Sequence, residues 1–138
     1  MSTENNSPAV VHSWWHRPQP YSRLELICDA LVHGLGLAIA LAAGGVLLVL
    51  AAQSAPTQLA PVLVYVSTLV TVLVVSLAFN MAPVAPVKRL LARLDQAAIF
   101  LLIAGTYTPM LALLSGTPAG DFMLIGVWSA ALIGMARF

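Results

Sequence analysis

Four long apolar stretches, separated by short connectors, constrain this chain more than any other feature of its sequence. They cover residues 27–51, 60–81, 95–114 and 120–137, and a helix of about 20 residues crosses the hydrocarbon core of a bilayer. The chain is 60% hydrophobic and 8% charged, whereas a soluble domain has about 25% charged residues. Too few charges are left to cover a water-facing surface. The sequence therefore predicts an all-α membrane protein with four transmembrane helices in a lipid bilayer.

The remaining composition divides the chain into two parts. Residues 1–22 are polar and carry scattered aromatic and proline residues, which predicts a flexible tail. Residues 23–138 form the predicted transmembrane domain. The net charge is +1 and the basic residues are not clustered, which excludes a nucleic-acid surface. Cys28 is the single cysteine, so the chain forms no intrachain disulfide.

The basic residues predict an orientation. Three of the six lie in the connector between the second and third stretches, and the others lie toward the two ends of the chain: Arg17, Arg23, Lys88, Arg89, Arg93 and Arg137. Basic residues concentrate in cytoplasmic loops. We therefore expect the N-terminus, the second connector and the C-terminus to be cytoplasmic.

Two further patterns concern helix packing. Small residues recur every four positions in the first and last stretches, at Ala30, Gly34, Ala38 and Ala42 and at Gly126, Ala130 and Gly134. Such ridges let membrane helices approach closely, so we expect them to contact neighbouring helices. Pro109 lies inside the third stretch and predicts a kink, with the Thr106 or Thr108 hydroxyl bonding the freed carbonyl of Gly105.

Six polar residues lie near the ends of the apolar stretches, where the predicted helices enter the hydrocarbon core of the bilayer. Glu25, Asp29 and His33 are four apart, as are Ser76 and Asn80, and Asp95 opens the third stretch. A structural role is open to each of the six. Glu25 and Asp29 suit a helix start, His33 can bond Asp29, and Asp95 can cap its helix and pair with Arg93 or Lys88. Asn80 can bond free carbonyls at the end of its helix, and Ser76 can bond back to its own helix. With the predicted topology, all six converge at one membrane depth. Ionisable residues in spans are costly and mark functional sites.

The same segments resemble a known family. "SRLELICDALVHGLGLAIALAAG", "SLAFN" and "RLLARLDQAAIFLLIAGTYTPML" are similar to motifs of the hemolysin III proteins, the bacterial branch of the progestin and adipoQ receptor family. The resemblance implies a seven-helix protein of the bacterial inner membrane, of which this chain has the first four helices. It also implies a zinc-dependent lipid amide hydrolase, with Ser76 and Asp95 supporting a zinc-bound water and with Glu25 and His33 in the polar set of the first helix.

The departures from that pattern are as informative as the matches. Asn80 stands where the family has its first zinc-binding histidine, Gln96 stands where a histidine follows the aspartate, and the chain ends at the fourth helix. A site of His33, Asp29 and Asp95 is the one remaining metal arrangement, and we do not favour it. We therefore expect no cofactor, and a truncated family member that is not itself an enzyme.

Two alternative functions remain open. In one, a second chain supplies the missing helices and completes a ceramidase-like zinc hydrolase. In the other, copies self-associate into a cytolytic pore, as the family name implies. No predicted helix carries a continuous polar stripe to line a channel.

Overall fold

The fold consists of four long helices. The computed structural model describes residues 22–82 and 86–137, which form α1 (Arg23–Ser54), α2 (Leu59–Met81), α3 (Pro86–Ala112) and α4 (Pro118–Met135), with a 3-10 turn at Pro56–Gln58 before α2. These residues contain no strand, and all four helices are long and apolar enough to cross a membrane. The predicted all-α membrane class is confirmed. The predicted tail lies outside the described residues except for Ser22.

The helices pack in chain order. α2 lies between α1 and α3, and α3 lies between α2 and α4. The buried residues are mostly small, among them Ala40, Ala104 and Ala131, whereas many large apolar side chains point outward, such as Phe122, which is 79% exposed. Exposed apolar surface on this scale is not tolerated in water. Lipid is the medium that such a surface requires.

Close helix contacts include glycines outside the predicted four-residue ridges. A Cβ on Gly44 would lie 2.8 Å from Cγ1 of Val66, and a Cβ on Gly105 would overlap the Thr68 hydroxyl. On the predicted ridges, Gly134 packs against Phe100, but Gly34 and Gly126 have no described atom within 4 Å of a built Cβ. Within the described chain Gly34 and Gly126 therefore face no neighbouring helix, and the prediction that these two positions contact one stays a prediction.

Helix α3 continues through Pro109 to Ala112. The Thr106 hydroxyl donates to the Leu102 carbonyl and the Thr108 hydroxyl to the Ala104 carbonyl, each at 2.7 Å. The prediction that one of them bonds the carbonyl of Gly105 is wrong, because each hydroxyl reaches the carbonyl four residues before its own position. The predicted kink stays a prediction.

The buried Thr108 hydroxyl also joins α3 to α4. It accepts a hydrogen bond of 3.2 Å from Nε1 of Trp128. We did not predict this contact from the sequence. A tryptophan within an apolar helix was the available signal, since a buried indole N–H needs an acceptor.

Candidate functional site

Three polar side chains meet between α1 and α2. Nε2 of His33 lies 3.1 Å from Oγ of Ser76 and 3.2 Å from Nδ2 of Asn80. His33 is in the third turn of α1, and the other two are in the last two turns of α2. All three side chains are partly buried. Because Ser76 and Asn80 are four residues apart, they lie on one face of α2 and both reach the same imidazole.

The hydrogen bond of the other ring nitrogen, Nδ1, determines which nitrogen of the His33 imidazole carries the proton. Nδ1 of His33 lies 2.9 Å from the main-chain carbonyl oxygen of Asp29. A carbonyl oxygen only accepts, so Nδ1 carries the proton and donates it. In the neutral imidazole Nε2 is then an acceptor, and it accepts hydrogen bonds from the Ser76 hydroxyl and from the Asn80 amide N–H. Two donors therefore converge on one nitrogen lone pair.

The two acidic residues of α1, Glu25 and Asp29, make different contacts. Asp29 contacts His33, as the spacing predicts, but through its main-chain oxygen. Glu25 lies at the helix start, where its main-chain N–H donates to Oγ of Ser22 at 3.2 Å and its carboxylate accepts from the Ser22 N–H at 2.9 Å. This reciprocal pair is a capping box. The helix-start role that the sequence left open is therefore the one that Glu25 has.

Asp95 does not cap α3. The helix begins at Pro86, nine residues earlier, so the predicted cap is wrong and the basic stretch before Asp95 is helical. Asp95 lies three residues before Ala98, and Ala98 lies seven before Gly105, which faces α2. Asp95 is therefore on the side of α3 that faces α2. Its carboxylate makes no hydrogen bond or ion pair with any residue of 22–82 or 86–137.

The basic stretch also makes a contact that we did not predict. Nζ of Lys88, in the first turn of α3, lies 5.4 Å from the centre of the Phe79 ring near the end of α2. An ammonium over an aromatic face at this distance is a cation–π contact. It holds the two helices together next to Asn80, on the side of the connector between them.

The donor set does not fit the zinc ion that the family resemblance implies. Among the described residues, no three His, Cys, Asp or Glu side chains are grouped as a metal site would require. Asn80 offers a neutral amide where a histidine is needed, and zinc in proteins is bound by Cys, His and acidic side chains. The one imidazole lone pair is already engaged by Ser76 and Asn80.

Four apolar helices with a polar cluster between two of them define a multi-pass helical membrane protein. Comparison with known proteins identifies its family. The Haemolysin-III related family matches residues 25–137, and the chain belongs to this family. The resemblance noted in the sequence is thereby confirmed.

Two relatives illustrate the match. "Hemolysin-3" of Bacillus cereus is 30% identical over 112 residues, which are 80% of this chain and 51% of that protein. "Hemolysin-3 homolog" of Bacillus subtilis (strain 168) is 37% identical over 114 residues, which are 80% of this chain and 53% of that protein. The chain thus spans about half the length of these relatives. No solved structure matches the chain significantly.

Proposed function

We propose that this chain is a hemolysin III-type membrane protein whose own residues neither bind zinc nor carry out zinc-dependent hydrolysis. The observation that carries the proposal is that the lone pair on Nε2 of His33 already accepts hydrogen bonds. Nε2 of His33 accepts hydrogen bonds from Ser76 and Asn80, and a zinc ion would have to displace both donors from it. Ser76, which the resemblance assigns to a zinc-bound water, here bonds His33 instead.

The proposed topology places this cluster on the cytoplasmic side. Arg23 opens α1, Lys88 and Arg89 lie in the first turn of α3, and Arg137 follows the end of α4. Four crossings bring these three helix ends to the same membrane face, and the positive-inside rule makes that face cytoplasmic. We propose the bacterial inner membrane as the location.

Zinc analysis of protein purified from zinc-supplemented cells tests the proposal. We expect less than one zinc per ten chains, an order-of-magnitude threshold for a protein without an assembled set of ligands. Stoichiometric zinc in the wild-type chain would contradict it.

Asn80→His is the matched positive control. Two nitrogens that each lie about 2.1 Å from a tetrahedral zinc are about 3.4 Å apart. Nε2 of His33 and Nδ2 of Asn80 are 3.2 Å apart, so an imidazole in place of the amide comes within reach of a shared ion. We expect Asn80→His to bind added zinc or cobalt more tightly than the wild type, because it offers a second imidazole nitrogen.

A second candidate follows from the length of the relatives. The chain spans about half of each, and a Cβ built on Gly34 of α1 or Gly126 of α4 would meet no atom of another described helix within 4 Å. Both features favour a complex in which another chain covers the outer faces of α1 and α4. The test is co-expression with the C-terminal half of the Bacillus subtilis relative. Co-purification that Gly34→Leu and Gly126→Leu abolish would support the complex, and separate elution would contradict it.

Pore formation has support only from the name of the relatives, Hemolysin-3. Dye release from liposomes tests it. No release at a high ratio of protein to lipid would exclude a pore of copies of this chain.

A further inference from the structure

Beyond membership of the family, the polar cluster has the geometry of an activated nucleophile. A serine hydroxyl is a weak nucleophile until a base takes its proton, and the recognisable arrangement is a serine bonded to a base that a third group orients. Here Oγ of Ser76 lies 3.1 Å from Nε2 of His33, and the carbonyl oxygen of Asp29 lies 2.9 Å from Nδ1. The three groups stand in the order nucleophile, base and orienting acceptor.

We propose that Ser76 is the nucleophile and His33 the general base of a metal-independent serine hydrolase that acts on acyl esters of membrane lipids. The proposal rests on the zinc-free site argued above, because Nε2 must be free to take a proton. It needs no residue from another chain.

The reaction balances with water as the second substrate. Oγ of Ser76 bonds to the ester carbonyl carbon while its proton moves to Nε2 of His33, and the carbonyl electrons go to the oxygen. The resulting oxyanion collapses, the bond to the alcohol oxygen breaks, and that oxygen takes the proton from Nε2. Water then adds to the acyl-serine and gives Nε2 a proton. When Oγ leaves, it takes this proton back, and the products are a carboxylic acid and an alcohol.

Asn80 is suited to stabilise the oxyanion. In the resting site one of its amide protons is donated to Nε2. Once Nε2 carries the serine proton it no longer accepts, so that N–H is released at the moment when negative charge forms beside it. Donors directed at a developing oxyanion contribute about 100-fold to 1000-fold in rate.

A groove beside the cluster indicates the class of substrate. A cavity of about 300 Å³ lies between α1 and α2, lined from Gly36 to Leu47 on α1 and from Leu73 to Tyr65 on α2. The twelve residues from Gly36 to Leu47 span about 16 Å, and almost all of the lining is apolar. Gly36 follows His33 by three residues and Leu73 precedes Ser76 by three. An acyl chain lying in the groove from the bilayer side therefore places its carboxyl end one turn from Ser76.

Labelling with fluorophosphonates tests the proposal, since they form a stable bond only with an activated serine. The probe is an alkyl fluorophosphonate added to the full chain in detergent micelles, and peptide mass spectrometry of the wild type identifies the modified residue. We expect a single adduct at Ser76. No adduct there would overturn the proposal, and this result needs no variant that might fail to fold.

Variants then separate a catalytic role from a structural one. Gln in place of His33 still forms hydrogen bonds but takes no proton, so His33→Gln should slow labelling at least about 100-fold. The control is Ser67→Ala on the same helix, because the Ser67 hydroxyl is exposed and bonds the Val64 carbonyl of its own helix. It should leave the rate unchanged. Equal labelling of His33→Gln and the wild type would contradict the role of His33 as base.

A comparison of two probes tests the proposed class of substrate. A long-chain alkyl probe should label Ser76 faster than a probe with a short polar chain, and Ala43→Phe, which fills the exposed wall of the groove, should remove this difference. Equal rates for both probes in the wild type would overturn the assignment to lipid esters. Zinc content measured on the same samples distinguishes the two failures: an unlabelled zinc-free chain contradicts only the serine hydrolase, and a zinc-loaded chain contradicts the proposed function.

Discussion

The close approach of α2 and α3 at Gly105 predicts the effect of adding one methyl group there. A Cβ on Gly105 would overlap the Thr68 hydroxyl and would lie 2.9 Å from both Cβ and Cγ2 of Thr68. Carbon atoms pack best at about 3.5 Å or more, so the two helices would have to separate by at least about 0.6 Å. Overpacking of this kind costs about 1–3 kcal/mol. Gly105→Ala should therefore destabilise the fold.

Gly45→Ala is the matched control. Gly45 is also inside a helix, and no described atom lies within 4 Å of a Cβ built on it. Both variants gain the helix propensity of alanine, up to about 1 kcal/mol, so the difference between them isolates the packing. In SDS titrations of protein in mixed micelles, we expect Gly105→Ala to unfold with about 1–3 kcal/mol less free energy than Gly45→Ala.

The partner residue supplies an internal check. Thr68→Ala removes the hydroxyl and the methyl that the new Cβ would meet. The double variant Gly105→Ala with Thr68→Ala should therefore recover part of the loss, with a favourable coupling energy of at least about 0.5 kcal/mol. Equal stability of Gly105→Ala and Gly45→Ala, or strict additivity in the double variant, would refute the packing of α2 on α3 at this point.

Changes at three further contacts have defined outcomes. Ser22→Ala and Glu25→Ala each remove one half of the capping box, and each should cost about 1 kcal/mol in the same titration without changing labelling of Ser76; a change in labelling would contradict a purely structural role. Trp128→Phe loses the hydrogen bond to Thr108 and should cost about 0.6 kcal/mol, the usual value for an interhelical bond in a membrane; no loss would contradict that bond. Lys88→Gln removes the cation over Phe79 and should cost about 0.5–1 kcal/mol, whereas Arg89→Gln, which is exposed, serves as its control.

The fold class followed from the sequence because hydrocarbon imposes a simple requirement. Each crossing must satisfy its own backbone hydrogen bonds, so a long apolar stretch specifies a helix. Helix contacts were harder to predict, because Gly34 and Gly44 read alike in the sequence. Which of them faces a neighbour depends on the rotation of α1 against α2, and no repeat of small residues determines that rotation.

The candidate site was predictable in part for a related reason. Spacing placed Ser76 and Asn80 on one face, and topology brought that face to the level of His33. The sequence did not predict which atoms make the hydrogen bonds. Asp29 acts through its main-chain oxygen, which the residue type does not reveal. Asp95 is a part of α3 because the helix begins at Pro86, although the polar sequence between them had suggested a connector.

The protonation of His33 tests the zinc-free, hydrogen-bonded site most directly. The other two histidines, His12 and His16, can be changed to glutamine, so that the ¹⁵N spectrum of labelled protein in lipid bilayers reports His33 alone. A proton on Nδ1 and a bare, hydrogen-bonded Nε2, unchanged when zinc is added, is the result we predict. A proton on Nε2, or a shift of the Nε2 signal to that of a metal-bound nitrogen, would contradict the arrangement of His33, Ser76 and Asn80 on which the proposals depend.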